Sequence, residues 1–254
     1  PLWSRGLGDV YKRQPNKWFG EAYLERREKC KLPAGTVFQP KPRLATEMLT
    51  ALSEEDVLPF KYVLADSLYG VSPEFIAAVE ALPGKTYFVS VPKDTQCWLT
   101  RPMTITKEYR WGGEKRTKRV LVTPEAKPLT VEDLAKNTND YFWYRRKVSE
   151  GTKGPIVYEF TRRRVILSVA GLPTNTVWLL IRRTLGKDPQ YSYFISNAMS
   201  GTRLNTLVWL SGLRWAIEQC FEETKTELGM DHYEVRKFPG WHHHIITCML
   251  AHFF

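Results

Sequence analysis

Cysteine is scarce in this sequence, and no two cysteines lie close together. The four of them, Cys30, Cys97, Cys220 and Cys248, form no CxxC pair. That spacing argues against a zinc ribbon or a disulfide-stapled scaffold and favours the reducing cytosol. Long apolar runs are also missing, since none approaches the ~20 residues that a transmembrane helix needs. No internal repeat or low-complexity tract is present, which excludes a repeat architecture.

The composition is that of a folded, basic protein. Hydrophobic residues make up 43% of the chain and aromatic residues 13%, which is enough for a packed core. The formal net charge is +10, and an excess of this size indicates a polyanionic partner such as nucleic acid. The alternative is a solvated basic surface without a partner.

The positive charge is concentrated in two stretches that also contain aromatic residues. The first surrounds Trp111 and the second follows Trp143 and Tyr144. Their basic residues are Lys107, Arg110, Lys115, Arg116, Lys118 and Arg119 in the first stretch, and Arg145, Arg146, Lys147, Lys153, Arg162, Arg163 and Arg164 in the second. Basic side chains interleaved with aromatic rings suit phosphate contacts combined with base stacking. Both stretches are therefore candidate DNA-binding segments.

The first residues have an unusual sequence. The segment SRGLGDVYKRQ, from Ser4 to Gln14, is too polar for a signal peptide. One in-frame back-translation of it resembles a sequencing-library adapter; the alternative is a genuine basic tail. We therefore predict that residues 1–14 are an adapter-derived artefact outside the fold, and that natural upstream sequence is missing. Asp9 lies in this segment and is discounted as a functional residue. The segment also contributes about two of the positive charges.

Residues 15–95 alternate between strand and helix patterns. The buried strand pattern at Tyr62–Ala65 stops at Asp66, and Ser72-Pro73 is a good helix start, with serine at the N-cap and proline at the first helical position. A second buried strand, KTYFVSV, follows that helix. The order strand, helix, strand predicts a βαβ unit with parallel strands, and hence an α/β fold.

Residues 96–185 have a different pattern, which predicts a β-rich insertion. The segments IVYEF, RVILSVA and VWLLIRR alternate like antiparallel strands, and LTVEDLAK predicts a short helix among them. Residues 186–254 return to the first pattern, with a strand at Tyr191–Ser196 and long helices at Thr202–Leu228 and Trp241–Phe254. The last range is expected to complete the domain begun by residues 15–95.

The helix predicted over Thr202–Leu228 carries charged residues on one face. At about 100° per residue, Arg214, Glu218 and Lys225 fall within roughly 40° of one another. An i,i+4 ion pair in an ordinary amphipathic helix explains Arg214 and Glu218 as well. With Asp66 at a strand end, however, Glu218 supplies a second carboxylate for Mg²⁺ over a phosphodiester, and the two cations would hold phosphates. An adjoining apolar stripe is expected to pack against the sheet: Leu213, Ile217, Cys220 and Leu228.

Three segments resemble the DDE transposases of bacterial insertion sequences: VLADSLYG, WAIEQCFEETK and LGMDHYEVRKFPGWHHHI. The resemblance spans nearly all of residues 15–254. It implies an RNase H-like mixed sheet flanked by helices, interrupted by the β-rich insertion, with a metal-binding Asp-Asp-Glu triad. It further implies that Asp66 is the second aspartate, that Glu218 is the glutamate, and that Arg214 and Lys225 are the basic part of the family signature.

The resemblance also implies what the protein acts on and with. The expected cofactor is Mg²⁺, with Mn²⁺ as a substitute, and the expected partner is double-stranded DNA, as terminal repeats and as target. Trp111, Trp143, Arg145 and Arg146 are the expected DNA contacts of the insertion. The expected reactions are DNA strand cleavage and strand transfer. The resemblance also implies a homodimer in the active complex. The expected location is the bacterial cytoplasm, in association with the nucleoid, without membrane contact.

Two departures from the family pattern affect these expectations. The tyrosine that opens the signature would fall at Ser211, and no residue after Pro15 matches the first aspartate. The chain as written is therefore expected to be inactive, with Asp94 as a weak alternative carboxylate. The competing interpretation is a non-catalytic or domesticated DNA-binding protein on the same scaffold. A nuclease without strand transfer is a third.

Two local features have alternative interpretations. Trp98, Trp111 and Trp143 either stack on an unpaired base or belong to the core. The spacing of His244, Cys248 and His252 on one helical face is compatible with zinc, but packing and DNA contact are favoured because no second pair of ligands is evident.

Overall fold

The computed structural model describes residues 16–55, 59–151, 154–234 and 236–253, without the side chains of Lys17 and Arg214. The predicted artefact, residues 1–14, lies outside the described residues. The chain divides into two compact units, one spanning Ala45–Gly212 and the other combining Pro1–Leu44 with Leu213–Phe254. In the described ranges, no helix has both the length and the apolarity that crossing a membrane requires.

The described residues form seven α-helices and ten strands. The helices are α1 (Leu24–Lys29), α2 (Lys41–Glu55), α3 (Ser67–Gly70), α4 (Pro73–Ala81), α5 (Val131–Lys136), α6 (Leu204–Leu228) and α7 (Phe238–Phe253). The strands are β1 (Tyr62–Ala65), β2 (Thr86–Val91), β3 (Gln96–Trp98), β4 (Thr104–Trp111), β5 (Glu114–Leu121), β6 (Leu129–Thr130), β7 (Tyr144–Gly151), β8 (Gly154–Val169), β9 (Leu172–Arg183) and β10 (Tyr191–Ser196).

The larger unit is built on a mixed sheet of eight strands, in the order β1-β2-β10-β9-β8-β3-β6, with β7 paired to β8. Strands β1 and β2 are parallel, with Tyr62 opposite Thr86, as the βαβ prediction requires. The other neighbouring strands of this sheet are antiparallel. The predicted α/β class, a mixed sheet flanked by helices, is therefore correct. Strands β4 and β5 form a separate two-stranded ribbon.

The predicted insertion, residues 96–185, contributes strands to the same sheet. The segments IVYEF and RVILSVA form one continuous strand, β8, and β9 pairs along its length with β8 and β10. The predicted short helix is α5, which begins with a capping box between Thr130 and Asp133. The boundaries at residues 96 and 185 stay a prediction.

Successive side chains of a strand point to opposite faces, which produces two cores from one sheet. Tyr87 and Val89 of β2 belong to the first core, against buried residues of α4 and α5, whereas Phe88 belongs to the second. The first half of α6 covers that second face through Leu207 and Leu210, both fully buried. Burial of each such side chain contributes about 1.5–3 kcal/mol, so the sheet is fixed from both sides.

The smaller unit contains a third core, formed by buried residues of α7 and by Met230 just after α6, with the half-buried Phe221 of α6 packed against it. Helix α6 is followed by Gly229, whose positive φ of +62° suits a C-terminal cap. Side chains of α7 also contact the helix end. His244 Nε2 lies 3.2 Å from the carbonyl oxygen of Gly229, and the Cys248 thiol donates to that of Leu228 at 3.5 Å. These contacts satisfy carbonyls that a helix end leaves without partners.

The predicted burial of the apolar stripe on α6 is wrong for two of its members. Leu213 is 36% exposed and Ile217 is 46% exposed. The buried residues of the first half of α6 end at Ser211, and the packing against α7 begins at Phe221.

Candidate active site and basic ribbon

Asp66 lies directly after β1 and caps the short helix α3. Its side-chain Oδ1 accepts a hydrogen bond from the Leu68 N–H at 2.8 Å, and its backbone is extended, with φ −81° and ψ −175°. The residue is exposed. Since an ionised carboxylate can accept about four hydrogen bonds or metal contacts, this single bond orients the group and leaves acceptor capacity.

Gly70 holds the turn that follows Asp66 close to the sheet. A Cβ atom at this position would lie 2.0 Å from the backbone carbonyl oxygen of Ser90 in β2, so only glycine allows this approach. The preceding residue, Tyr69, packs its ring 5.1 Å from that of Phe75 in α4. The segment DSLYG thus fixes a carboxylate at the end of β1 by a cap, a close backbone contact and an aromatic contact.

Glu218 and Lys225 lie seven residues apart on α6, so they project from similar angles of the helix. Glu218 is exposed and Lys225 is half-buried. The side chain of Arg214, the third member of the predicted face, lies outside the described residues. Ser211, at the position of the family's tyrosine, is 5% exposed and donates its hydroxyl to the carbonyl oxygen of Val208 at 2.6 Å. That hydroxyl therefore donates its hydrogen bond within its own helix.

The alternative carboxylates have different surroundings. Glu223 accepts a hydrogen bond from Gln219 at 2.6 Å, whereas Glu222 and Asp94 are exposed. No cluster of three or more His, Cys, Asp and Glu side chains among the described residues could hold a metal ion. A metal site with only two protein carboxylates would have fewer ligands than the three that define such a cluster. Exposed carboxylate oxygens are the donors that Mg²⁺ prefers, so Asp66 and Glu218 fit the ion chemically.

The zinc alternative for α7 is not supported by the contacts of its residues. His244 and Cys248 are 3.8 Å apart, but each faces a carbonyl at the end of α6. The finding that the described residues contain no metal-binding cluster applies to α7 too. Packing, the favoured interpretation, accounts for both side chains.

The first basic stretch forms the ribbon of β4 and β5. Gly112 and Gly113 both have positive φ, +59° and +86°, which permits the tight two-residue turn of a twisted hairpin. In the register, Lys107 lies opposite Lys118, and Arg110 lies opposite Lys115. Like charges directly opposite each other destabilise a strand pair. A bound anion would therefore stabilise the ribbon, because it would reduce the repulsion between these opposed positive charges.

The two faces of the ribbon differ in composition. Since cross-strand partners share a face, the register places the exposed rings of Tyr109 and Trp111 on one face with Glu114 and three basic residues, Lys107, Lys118 and Arg116. Trp111 is 68% exposed at the tip. We call this the aromatic face. The opposite face carries Arg110, Lys115, Arg119, Glu108 and threonines. Arg119 is an anchor, since it donates to Thr104 and to the carbonyl oxygen of Pro173, both at 3.1 Å.

Several arginines of the second basic stretch serve the fold. Arg162 and Arg164 lie over the ring of Trp178, with guanidinium carbons 4.5 and 5.3 Å from its centroid. Arg164 also donates to the carbonyl oxygen of Thr176 at 3.1 Å, and Arg162 to that of Thr202. Cation–π contacts and backbone hydrogen bonds occupy these groups. The sequence pattern assigns Arg162 and Arg164 to the candidate DNA-binding charge, whereas in the structure both guanidinium groups contact Trp178 and backbone carbonyls of the protein itself.

Trp143 is a core residue. It is 8% exposed, its indole N–H donates to the carbonyl oxygen of Thr138 at 3.4 Å, and Arg183 lies 4.2 Å from its ring centroid. Arg183 is held in turn by ion pairs with Glu159 and Asp140, at 2.9 and 2.8 Å. The structure therefore places Trp143 in the core, in agreement with the alternative interpretation, and its contact with DNA stays a prediction.

Arg145 and Arg146 remain candidates for DNA contact. Arg145 pairs with Glu159 at 3.3 Å but has a side chain that is 66% exposed, and exposed pairs contribute only about 0–1 kcal/mol. Arg146 is half-buried and donates to the side-chain oxygen of Asn205 at 3.1 Å. Their role on DNA stays a prediction.

The four thiols differ in burial, which gives a direct test of this fold. Cys97 is fully buried, and burial raises its pKa to about 11; burial also raises the pKa of Cys248. A raised pKa lowers the thiolate fraction, which at pH 8 is about one in a thousand for a pKa of 11. We expect iodoacetamide to label the half-buried Cys30 and Cys220 first, by mass spectrometry. In urea all four should react at similar rates. Equal labelling of Cys97 in the folded protein would contradict its placement.

Comparison with known families gives one finding. A family model described as DDE superfamily endonuclease matches residues 10–155, more than half of the chain. The match starts inside the segment predicted to be an artefact, includes Asp66 and the ribbon, and ends before α6. No curated protein matches the sequence.

Two features of the site were not recognised in the sequence. The ribbon is signalled by Gly112-Gly113 between two alternating segments, a recognised hairpin pattern. The close approach of Gly70 has only a weak signal, a glycine four residues after a strand-end aspartate. Its partner, Ser90, lies in another strand, so only the tertiary structure identifies the contact.

Proposed function

The chain belongs to the DDE superfamily endonucleases, and we propose that it is a transposase of this family, which cleaves DNA strands and transfers them at insertion-sequence ends. The observation that supports this most directly is Asp66. It lies in the matched range, at the end of β1, exposed and oriented by its own helix cap. A carboxylate fixed in this way suits metal-dependent phosphodiester chemistry.

Asp66 and Glu218 are the proposed ligands of Mg²⁺, which Mn²⁺ can replace. A bound divalent ion supplies activation of a water or 3′-hydroxyl and stabilisation of the leaving oxygen. The protein groups orient and bind: the backbone N–H of Leu68 donates a hydrogen bond to Oδ1 of Asp66, and Glu218 presents an exposed carboxylate from α6. Lys225 and Arg214 are the proposed phosphate contacts, since cationic side chains neutralise the charge of a DNA backbone.

The ribbon supports DNA as the substrate. Its aromatic face combines Tyr109 and Trp111 with three basic residues, a combination that binds phosphates and stacks on bases. A two-stranded ribbon also fits the major groove, which is about 12 Å wide. We propose that this face contacts the DNA, with Trp111 at the tip.

A pair of charge-matched variants tests which face of the ribbon binds. Lys107→Thr with Lys118→Thr removes two charges from the aromatic face, and Arg110→Thr with Lys115→Thr removes two from the other. We expect the first pair to weaken duplex binding and to reduce the slope of log K against log salt by about 1.8, or 0.9 per phosphate contact. Anisotropy titrations of labelled duplex at several KCl concentrations measure both.

The second pair of ribbon variants is the control. It should change the slope by less than half as much, since its charges lie away from the rings. Equal effects of the two pairs would show that the ribbon acts only through its total charge. No effect of either would remove the ribbon from the DNA interface.

The proposed activity is tested with labelled insertion-sequence ends and the protein expressed from the complete reading frame. Strand cleavage and joining to a target duplex in Mg²⁺, and loss of both in EDTA, are expected. Cleavage without joining would indicate a nuclease. Binding without either reaction, in Mg²⁺ and in Mn²⁺, would contradict the proposal and favour a DNA-binding protein on this scaffold.

A further inference from the structure

The smaller unit contains a cavity of about 730 Å³ that no residue of the proposed cleavage site lines. Its walls come from residues 18–44 and 233–242, which are far apart in sequence but belong to one unit. A backbone hydrogen bond joins the two segments, from the N–H of Phe238 to the carbonyl oxygen of Cys30 at 2.8 Å. The volume lies within the range of about 300–1,000 Å³ that is typical of small-molecule sites.

Aromatic rings form much of the wall. Trp18 stacks on Tyr23 with centroids 5.5 Å apart, and Phe19 meets Phe38 edge to face at 6.1 Å. Trp241, on the other segment, is 8% exposed and belongs to the core of the unit, so it supports the wall from behind, and the ring faces come from the more exposed aromatic residues. Rings supported by such neighbours keep their orientation. They offer preformed faces to a planar ligand.

The charges around the cavity all have one sign. Arg26, Arg236 and Lys237 line it, and no Asp or Glu does so among the described residues. The three cations are exposed and form no ion pair with any residue in the ranges that the structure describes. Rings alone would suit a neutral apolar ligand, and cations alone would suit inorganic phosphate. The combination fits a ligand that is both planar and anionic.

We propose that this cavity binds a nucleotide, with the base against the rings and the phosphate on Arg236 and Lys237. Base stacking on aromatic side chains and phosphate contact with cations are how single-stranded nucleic acid is held. The nucleotide is either free or an unpaired residue of a DNA strand, since both present the same chemistry. Binding uses none of the carboxylates assigned to cleavage and needs no divalent ion.

The test measures binding of dTMP and of labelled ten-residue oligo-dT to the full chain in EDTA, where cleavage cannot contribute. Val37 lines the cavity and is 66% exposed, so Val37→Trp should fill it without removing a core contact. We expect at least tenfold weaker binding. Arg236→Gln with Lys237→Gln should weaken binding about tenfold as well. Trp18→Ala, which removes a stacking surface, should cost about 5- to 150-fold.

The control is Lys29→Gln with Lys31→Gln, which makes the same change of charge in the same unit, at positions that do not line the cavity. It should leave affinity within about twofold. Cys30 lines the cavity whereas Cys220 does not, so saturating dTMP should slow alkylation of Cys30 alone. That readout is independent of all variants.

The outcomes separate the alternatives. Competition by dTMP against oligo-dT supports a free-nucleotide site, and oligo-dT binding that resists dTMP but is lost in Val37→Trp supports an unpaired residue of DNA. Inorganic phosphate that competes as well as dTMP would overturn the proposal, because the rings would then contribute nothing. The proposal would also be overturned if dTMP did not slow the alkylation of Cys30 and if affinity were unchanged both in Val37→Trp and in Arg236→Gln with Lys237→Gln. Neither result affects the proposed cleavage, which depends on Asp66 and Glu218.

Discussion

Asp66→Asn and Glu218→Gln, each in the protein expressed from the complete reading frame, are expected to lower the DNA cleavage rate by about 10³-fold or more while duplex binding is retained. Metal stabilisation of a phosphodiester transition state contributes several kcal/mol, and each 1.36 kcal/mol corresponds to a factor of ten in rate. Asparagine also keeps the acceptor that caps α3, since Asn and Asp are equally good N-caps. Cleavage of labelled DNA and anisotropy measure the two properties.

Neighbouring carboxylates provide the controls. Glu222→Gln alters an exposed glutamate on the same helix, and Asp94→Asn alters an exposed aspartate in the turn after β2. Both should retain cleavage within a few-fold. A large loss in Glu222→Gln with full activity in Glu218→Gln would assign the glutamate of the triad to position 222. Loss of binding together with cleavage would indicate that Asp66 or Glu218 supports the fold.

Gly70→Ala is expected to destabilise the protein by about 3 kcal/mol, the upper part of the range for overpacking a core. The new Cβ would lie 2.0 Å from the carbonyl oxygen of Ser90, and a backbone atom within a sheet cannot rotate away as a side chain can. Helix α3 must move instead, and Asp66 with it. Urea denaturation measures the free energy of unfolding, and the cleavage rate of the folded fraction reports the displacement of Asp66.

Gly201→Ala is the matched control for this prediction. A Cβ atom added at Gly201 would meet no other atom within 4 Å, and the residue has no positive φ, so alanine there should change stability by a few tenths of a kcal/mol. If Gly70→Ala unfolded at the same urea concentration as the original protein, the contact between α3 and β2 would be refuted.

The distribution of arginines shows which properties a count of charged residues predicts and which it does not. The sequence contains 37 lysines and arginines, and their clustering beside aromatic residues indicates a polyanion. Clustering does not distinguish an arginine that faces DNA from one that packs. Arg183, between Trp143 and Glu159, stabilises the sheet, whereas Lys107 on the ribbon is exposed. The neighbours that decide between these roles come from other strands.

Local patterns predicted most of the secondary structure correctly. The strand Tyr62–Ala65 and the helix start at Ser72-Pro73 appear as expected, because periodicity and capping involve residues near one another in the chain. The same local signals failed on α6. Its helical period is correct, but Leu213 and Ile217 are exposed, since a period shows which residues share a face and not what covers that face.

The sequence by itself determined the fold class, the positions of several strands and helices, among them β1, α4 and β2, the basic character and the resemblance that identifies the family, all of which depend on local order and composition. The tertiary structure alone decided which glycine, Gly70, meets the sheet and that Trp143 is buried. It also brought the aromatic residues near the start of the chain together with Arg236 and Lys237 around one cavity. These properties depend on contacts between residues far apart in sequence, and no local pattern encodes them.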